Sequence, residues 1–324
     1  MRSARRWRAR IAAPAIAIAL ALILALAKFV NAPYAQSMDG NGNHSRPRLE
    51  PSSWPDSALT IASLGHAAVL MNFFGTRLIS DPSLYDRVGL SIGPIVTIGP
   101  KRHVDPPLAP AQIGPLDLIL ITHAHMDHLD LPSLKSLPRS AVVIACEKCA
   151  PLIAPLGFAD IRELKWGEQT TVNGLTISAM GARHWGKRWP WGQTFGYNTY
   201  VLDKNGHRVM LGCDSAVTNL FADIASNPPE VAIFSIGAYN PWIWNHANPE
   251  QVWSMFQQTH ARYLVPIHWG TFRLSNEPME EPLRRLIAAS GAEQNRIVLR
   301  EIGGAWTLPE SAEAHDRAAA ANAR

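Results

Sequence analysis

A near-continuous apolar run, LDLILIT (116–122), leads directly into the polar loop THAHMDHLD (122–130). Strands that are buried on both faces of a sheet have apolar runs of this kind. Such a strand would deliver the chain to the motif His123-x-His125-x-Asp127-His128. Alternate residues of an extended chain point to the same side, so the two histidines at 123 and 125 can bind one metal ion together. Imidazole and carboxylate groups suit zinc, so the sequence predicts a metal centre at the end of a buried strand.

Three later polar residues also follow strand-like apolar runs: His184, Asp214 and His268. Loops at strand ends are where α/β folds place functional groups. Asp127 and His128 lie one step beyond the histidine pair and can reach a second metal ion, but one loop cannot supply all the ligands for two ions. We therefore expect two divalent ions, with zinc favoured and iron or manganese as alternatives. The predicted ligands are His123, His125 and His184 for one ion and Asp127, His128 and His268 for the other, with Asp214 as the bridge.

The body of the chain alternates short apolar runs with turn and helix signals. Further buried strands are predicted at 141–145, 231–236 and 262–267. Helices are predicted at 146–156, at 278–289 and after Asn248, which is a good N-cap because Pro249 follows it. Residues 82–115 contain many prolines and glycines and are predicted to form a long structured loop. About a dozen strands separated by helices predict a layered α/β domain with two sheets.

The N-terminus has the pattern of a targeting segment. Residues 1–10 contain five arginines, and residues 11–27 are apolar and uncharged. This pattern predicts a signal peptide or membrane anchor at 1–35, with the arginines in the cytoplasm and the remainder exported to the periplasm or held outside the membrane. The predicted organisation continues with a linker at 36–57, a single folded domain at 58–308 and a C-terminal tail at 309–324.

The net charge of +4 comes from the N-terminal segment. Arg2, Arg5, Arg6, Arg8, Arg10 and Lys28 contribute +6, so the rest of the chain carries 4 − 6 = −2. This balance excludes a basic nucleic-acid-binding surface over the main body. Three cysteines are too few for a disulfide scaffold, and Cys146-x-x-Cys149 fits either a local disulfide or two free thiols.

The HxHxDH motif with later His, Asp and His resembles the metallo-β-lactamase superfamily, over residues 58–308. Several segments narrow the resemblance to the N-acyl-phosphatidylethanolamine phospholipase D-like branch, which also has lactonase-like members. They are SLGHAAVLMNFFGTRLISDP (63–82), GPKRHVDPPL (99–108), FSIGAYNPW (234–242), HANPEQ (246–251) and IHWGTF (267–272). The resemblance implies a four-layer αββα sandwich, with a dinuclear site between the sheet edges formed by the seven ligands named above.

The same resemblance implies a hydrolase in which a metal-bridging hydroxide attacks a phosphodiester of an N-acyl-phosphatidylethanolamine-like lipid. Asp127 and His246 are then expected to be catalytic, and His66 is placed beside the metals as a substrate-binding residue. A lactonase, or another ester or amide hydrolase, is the alternative within the superfamily. An inactive metal-binding protein is the alternative outside the enzymes, and the complete ligand set argues against it.

Tryptophan is abundant, with 11 residues, and several of them lie close in sequence to the predicted ligands. Trp185, Trp189 and Trp244 are predicted to wall an apolar pocket for a small-molecule or lipid substrate. The same side chains would also suit a membrane interface or ordinary core packing. The sequence predicts membrane association through the N-terminal segment, and it makes no prediction of the oligomeric state.

Overall fold

The computed structural model describes residues 49–92, 96–212 and 214–310. The predicted signal or anchor at 1–35 lies outside the described residues, as do the first part of the predicted linker and the tail from residue 311. These assignments stay predictions. In the part of the chain that the structure describes, no helix has the length and apolar character needed to cross a membrane.

Two mixed sheets make up most of the described chain. The strands are β1 (Leu59–Gly65), β2 (Ala68–Phe73), β3 (Thr76–Ser80), β4 (Leu90–Ile92), β5 (Val96–Ile98), β6 (Leu118–Ile121), β7 (Val142–Cys146), β8 (Ile161–Leu164), β9 (Gln169–Val172), β10 (Leu175–Met180), β11 (Thr199–Lys204), β12 (His207–Leu211), β13 (Val231–Ser235), β14 (Tyr263–Ile267) and β15 (Ala305–Thr307). The helices are α1 (Leu131–Ser136), α2 (Ala150–Ile153), α3 (Pro249–Thr259) and α4 (Glu281–Ser290). Short 3-10 helices lie at Pro51–Ser53, Pro110–Gln112, Ala154–Leu156, Ala222–Ser226 and Gly291–Arg296.

The first sheet has the strand order β15-β1-β2-β3-β6-β7-β8, and the second has the order β14-β13-β12-β11-β10-β9. Strands β3, β6, β7 and β8 pair in parallel, and so do β12, β13 and β14. The other pairs within the two sheets are antiparallel. Parallel neighbours place their C-terminal ends at one sheet edge, where loops can converge.

The core has three apolar layers, because each sheet buries both faces. Leu118 and Leu120 of β6 face the second sheet and pack in one cluster with Ile233 and Val265. The alternate residues Ile119 and Ile121 face outward and pack with residues of α1 and α2. On the far side of the second sheet, Phe234 and Leu264 pack with α3 and α4. The order is therefore helix, sheet, sheet, helix, as the resemblance implied.

Two predicted elements differ from those observed. The helix predicted at 146–156 is reduced to α2 and one 3-10 turn, because Pro151 and Pro155 lack the backbone N–H groups that a longer helix needs. Cys146 instead ends β7, and both Cys146 and Cys149 are buried. The loop predicted at 82–115 contains a hairpin of β4 and β5. Its aliphatic side chains are about half exposed, so no burial pattern marked it in the sequence.

Helix α1 was not predicted, although the sequence carries its N-cap. The Asp130 side chain accepts hydrogen bonds from the backbone N–H and the hydroxyl of Ser133, at 3.0 and 2.5 Å. Asp130 is buried, and its other carboxylate oxygen has no hydrogen-bond partner among the residues that the structure describes. Burial raises the pKa of Asp130 to about 6. The folded protein therefore binds a proton on Asp130 more tightly than the unfolded chain does.

This raised pKa predicts that Asp130→Asn stabilises the protein at neutral pH. An Asp in the unfolded chain titrates near pH ~4, so between pH ~4 and ~6 the folded state binds more protons than the unfolded state. The free energy of unfolding therefore falls as the pH rises through this range. We expect the Asn variant to gain about 1–2 kcal/mol at pH ~7 and nothing at pH ~4, measured by chemical denaturation. Asp223→Asn, at an exposed acid, is the control. An equal gain at both pH values would contradict the prediction.

Candidate metal centre

The seven predicted ligands come together at one edge of the sandwich, between the two sheets. His123, His125, Asp127 and His128 lie in the loop after β6 of the first sheet. His184, Asp214 and His268 follow β10, β12 and β14 of the second sheet. The sheets meet face to face, so loops from both sheets reach one another at their shared edge.

Three histidines form the first donor group. The Nδ1 atom of His125 lies 2.8 Å from Nε2 of His123 and 3.2 Å from Nε2 of His184. Tetrahedral zinc with ordinary zinc–nitrogen distances separates its nitrogen ligands by about 3.3 Å. The three nitrogens are therefore spaced as donors to one ion would be. This is the set that the sequence predicted for the first ion.

The second donor group contains the other three predicted ligands, and a further histidine lies beside it. The Oδ2 atom of Asp127 lies 3.6 Å from Nε2 of His128 and 3.4 Å from Nε2 of His268. The adjacent histidine is His66, whose Nε2 atom lies 2.8 Å from the same oxygen. One ligand atom from each of these four residues falls within 4.8 Å of the others.

Asp214 lies between the two groups. Its Oδ2 atom is 3.0 Å from Nε2 of His128, 3.1 Å from Nε2 of His268 and 3.9 Å from Nε2 of His123. The side chain is almost fully buried, and its other oxygen accepts a short hydrogen bond from the hydroxyl of Ser235. The position suits the bridging role that the sequence predicted.

In three of the predicted ligands, the ring nitrogen that points away from the centre forms a hydrogen bond to an acceptor. His128 Nδ1 lies 2.8 Å from Oδ2 of Asp81, and His184 Nδ1 lies 3.0 Å from the carbonyl oxygen of Asn245. Both partners accept hydrogen bonds only, so each Nδ1 carries a proton and each Nε2 is the atom that can face a metal ion. Acceptors of this kind fix the tautomer that a metal ligand needs.

His123 is held in the same way through a hydroxyl group. Thr122 donates its hydroxyl hydrogen to Asp81 Oδ2 at 2.6 Å, and its Oγ1 lies 3.0 Å from Nδ1 of His123. Because its own hydrogen is committed, the hydroxyl accepts from His123. Asp81 therefore orients one predicted ligand of each group, His128 directly and His123 through Thr122.

The first donor group is neutral at physiological pH. Burial is the main cause that lowers the pKa of His125 to about 4, and burial together with neighbouring histidines holds the pKa of His123 well below its usual value. Burial likewise lowers the pKa of His184. Neutral imidazoles are the form that binds a metal ion, so no proton has to leave these residues first.

The second group carries more negative charge. Burial would raise the pKa of Asp214, but His268 and His128 outweigh it and hold the pKa of this carboxyl well below its usual range. Burial would lower the pKa of His268, but Asp214 and Asp127 raise it to about 9. The carboxylates thus favour positive charge here, either as protons on histidine or as a bound cation.

The chemistry of the donors fits divalent metal ions. Four buried ring nitrogens have no hydrogen-bond partner in the described chain: Nε2 of His125, His128 and His268, and Nδ1 of His246. Those of His128 and His268 lie near Asp214, but outside hydrogen-bond geometry. These two are also the atoms assigned to the second donor group, and buried polar atoms are rarely left unpaired unless an ion or water binds them. The set of histidines and carboxylates is the one that zinc, iron and manganese use.

A cavity of about 450 Å³ opens beside the two groups. Its wall includes His125, Asp127, Asp214, His246 and His268 from the centre, together with Trp185, Trp189, Trp242, Leu274, Lys187 and Arg188. Two residues predicted to contact substrate do not line it. Trp244 is 74% exposed, and Trp242, two residues earlier, lines the cavity instead. His66 is buried behind Asp127.

Sequence reasoning missed three residues that support the centre: Asp81, Thr122 and Glu277. Asp81 and Thr122 stand at the ends of apolar runs, the same signal that identified Asp214. Glu277 carries no signal of its own. Its buried carboxylate accepts hydrogen bonds from the backbone N–H groups of Tyr239 and Asn240, at 3.2 and 3.1 Å.

Glu277 holds one end of the loop that carries His246. From Asn240 this loop continues to Trp242, which lines the cavity, and to Asn245, whose carbonyl binds His184. We expect Glu277→Gln to reduce stability by about 1–3 kcal/mol, because the amide brings an N–H group against a backbone N–H. We also expect kcat to fall by about tenfold, through displacement of His246.

Chemical denaturation and steady-state kinetics measure the two effects of Glu277→Gln. Glu280→Gln is the matched control, since Glu280 is exposed and makes no side-chain cap hydrogen bond. Equal behaviour of the two variants would contradict the role given to Glu277.

Comparison with known proteins adds a family assignment to this geometry. Residues 76–269 match the profile described as "Beta-lactamase superfamily domain". An uncharacterized protein of Mycobacterium tuberculosis is 32% identical over 260 residues, which cover 75% of this chain and 67% of that protein. An N-acyl-phosphatidylethanolamine-hydrolyzing phospholipase D of Caenorhabditis elegans is 27% identical over 293 residues, covering 81% and 78%.

The fold also occurs among solved structures. The crystal structure of a possible metal-dependent hydrolase from Veillonella parvula superposes with a TM-score of 0.64 at 18% identity. The match covers 78% of this chain and 100% of that one. At this identity the likeness establishes the shared fold alone.

Proposed function

We propose that this chain, which belongs to the beta-lactamase superfamily and is a metal-dependent hydrolase, uses two divalent ions to cleave phosphodiesters. The favoured ion is zinc rather than iron or manganese. The proposed substrates are N-acyl-phosphatidylethanolamine-like lipids, cleaved in the manner of a phospholipase D. The similarity to the Caenorhabditis elegans enzyme supports this choice of substrate.

The position of Asp214 is the observation that carries the proposal. One carboxylate oxygen lies within 3.9 Å of donors from both histidine groups, and both groups adjoin the same cavity. Divalent ions held there supply Lewis acidity and activate water at neutral pH. An arrangement of this kind suits an attack on phosphorus or on a carbonyl carbon.

Asp127 and His246 are the residues that reach the reacting groups in this proposal. Asp127 keeps 17% of its side chain exposed and faces the cavity, where its carboxylate can accept a hydrogen bond from an attacking water. Burial lowers the pKa of His246 to about 4. His246 is therefore neutral at physiological pH and donates a hydrogen bond to developing negative charge, without carrying a positive charge itself.

The cavity wall suits a substrate with an anionic group and an apolar portion. Trp185, Trp189 and Trp242 supply apolar surface, and Lys187 and Arg188 supply positive charge. The Arg188 guanidinium is fixed by hydrogen bonds to the carbonyl oxygens of Ala124 and Leu129, at 2.7 and 2.9 Å. A phosphodiester that bears an acyl chain meets both features.

Metal analysis followed by a substrate panel tests the proposal. We expect about two zinc ions per chain and hydrolysis of an N-acyl-phosphatidylethanolamine, with activity lost on chelation and restored by zinc. The double variant His123→Ala/His125→Ala is the control for contaminating hydrolases. Hydrolysis of a lactone but of no phosphodiester would assign a lactonase. Two bound ions with no activity on any phosphodiester, lactone or β-lactam would assign a metal-binding protein.

The aromatic wall predicts a dependence on acyl-chain length. Each buried methylene contributes about 0.8 kcal/mol, so kcat/KM should rise by up to about fourfold per methylene until the cavity is filled. We expect Trp189→Ala to flatten this rise without changing the metal content. Trp244→Ala is the matched control, because Trp244 lies outside the cavity wall. The same flattening in both variants, or a flat profile in the wild type, would remove the lipid assignment.

A further inference from the structure

His66 lies beside the second donor group, on the side away from the cavity. It occupies the turn between β1 and β2 and is 2% exposed. Its backbone has a φ of +54°, in the left-handed region that non-glycine residues seldom adopt. A buried polar residue in an unfavourable backbone conformation needs compensating contacts from its surroundings.

These contacts connect His66 to two predicted ligands of one ion. Its Nε2 atom lies 2.8 Å from Oδ2 of Asp127, and its carbonyl oxygen accepts the backbone N–H of His268 at 2.8 Å. The imidazole rings of His66 and His268 pack with their centroids 4.0 Å apart. One residue therefore restrains a carboxylate through its side chain and a histidine through its backbone.

The turn that carries His66 is itself held in place. The backbone N–H of His66 donates to the hydroxyl of Thr271 at 2.6 Å, and the Arg102 guanidinium donates to the carbonyl oxygen of Leu64 at 2.7 Å. Gly65 has a φ of +94°, and a Cβ there would lie 2.5 Å from a guanidinium nitrogen of Arg102. The conformation of the turn is thus determined from both sides, which preorganises the position of the imidazole.

The direction of the hydrogen bond to Asp127 follows from the charges. The Asp127 carboxylate is ionised, since nearby histidines outweigh burial and hold its pKa well below its usual range. An ionised carboxylate only accepts, so His66 donates from Nε2. That hydrogen bond occupies one lone pair of Oδ2 and leaves the carboxylate's remaining lone pairs available to an ion.

We propose that His66 is a positioning residue for the second metal ion, and that it holds Asp127 and His268 in the arrangement that binds this ion. The inference rests on the two-ion function proposed above. The first donor group has no hydrogen bond to His66 among the described residues, so the effect is specific to one ion. Loss of an outer residue of this kind typically weakens metal binding by about 10–100-fold.

Stepwise zinc titration of the full chain tests the inference, with free zinc set by a chelator buffer and bound zinc counted per chain. We expect His66→Ala to bind its first ion as the wild type does and its second ion about 10–100-fold more weakly. His66→Gln should recover part of the second affinity, because a glutamine amide can donate from a similar position. Circular dichroism and thermal unfolding check that each variant is folded.

His260→Gln is the matched control. His260 has a φ of +55°, close to that of His66, but it is exposed at the end of α3. An unchanged second affinity in His66→Ala would overturn the inference, and so would equal weakening of both ions. If His66→Ala does not fold, an unchanged second affinity in His66→Gln together with wild-type stability overturns it. A wild-type protein that binds one ion only would instead overturn the two-ion function, and the inference with it.

Discussion

Replacement of Asp214 by asparagine should lower kcat/KM by about 10³-fold, which corresponds to about 4 kcal/mol of transition-state stabilisation. Asp214 lies close to donors of both groups, with one carboxylate oxygen 3.9 Å from Nε2 of His123 and 3.0 Å from Nε2 of His128. Asparagine preserves the shape and can still accept from Ser235, but it removes the negative charge. A neutral amide is a weak ligand for a divalent ion, so the variant should also retain less metal.

Kinetics with the phosphodiester substrate and zinc content after gel filtration measure both effects of Asp214→Asn. Asp203→Asn removes the same charge from a half-exposed position in β11, beside Arg208, and is the control. A variant with wild-type activity and two tightly bound ions would refute the bridging role of Asp214. Full metal content with reduced activity would instead mean that Asp214 contributes to the reaction and not to metal binding.

The membership of the donor groups could be predicted because its signals are local, whereas the order of layers followed only from the family resemblance. His123, His125, Asp127 and His128 are consecutive or alternate in one loop, and backbone geometry brings them together without any tertiary information. His184, Asp214 and His268 each follow an apolar run, and the strands before them, β10, β12 and β14, run in the same direction and end at one edge. Position in the chain was therefore enough to indicate which residues meet.

The residues that orient the ligands could not be predicted in this way. Asp81 reaches His128 across 47 positions of sequence, and the partner of His184 is the backbone carbonyl of Asn245, which no residue type can signal. Substrate contacts were equally hidden. Trp242 and Trp244 are separated by one residue, yet only Trp242 lines the cavity, because the turn at 242–246 directs them differently.

His66 illustrates the same limit. The resemblance of the segment 63–82 to a family motif placed His66 beside the metals. Residue type alone did not distinguish a residue that contacts substrate from one that supports Asp127. The distinction depends on its burial and on a 2.8 Å contact with a residue 61 positions away. Physical reasoning from sequence thus indicated which residues meet at the centre, whereas the contacts that hold them required the folded chain.

The last expected result concerns the most connected of these supports, Asp81. Its Oδ1 atom accepts the backbone N–H of Thr122 at 2.8 Å, and its Oδ2 atom accepts from the Thr122 hydroxyl and from His128 Nδ1. In Asp81→Asn, an amide N–H₂ group replaces one of these acceptors. If the amide nitrogen faces His128, the ring must shift its proton from Nδ1 to Nε2 to avoid an unfavourable N–H contact. Nε2 then no longer has a lone pair to offer a metal ion.

We therefore expect Asp81→Asn to weaken metal binding and to lower kcat/KM by about 100-fold. Thr122→Val, which breaks only the link to His123, should cost about tenfold, because the direct support of His128 is intact. Zinc titration and kinetics measure these effects, and Asp86→Asn, at an exposed acid of the neighbouring loop, is the control. If Asp81→Asn binds zinc and turns over substrate like the Asp86 variant, the orientation of His128 does not depend on Asp81. A loss confined to stability, with metal affinity unchanged, would leave Asp81 a structural role only.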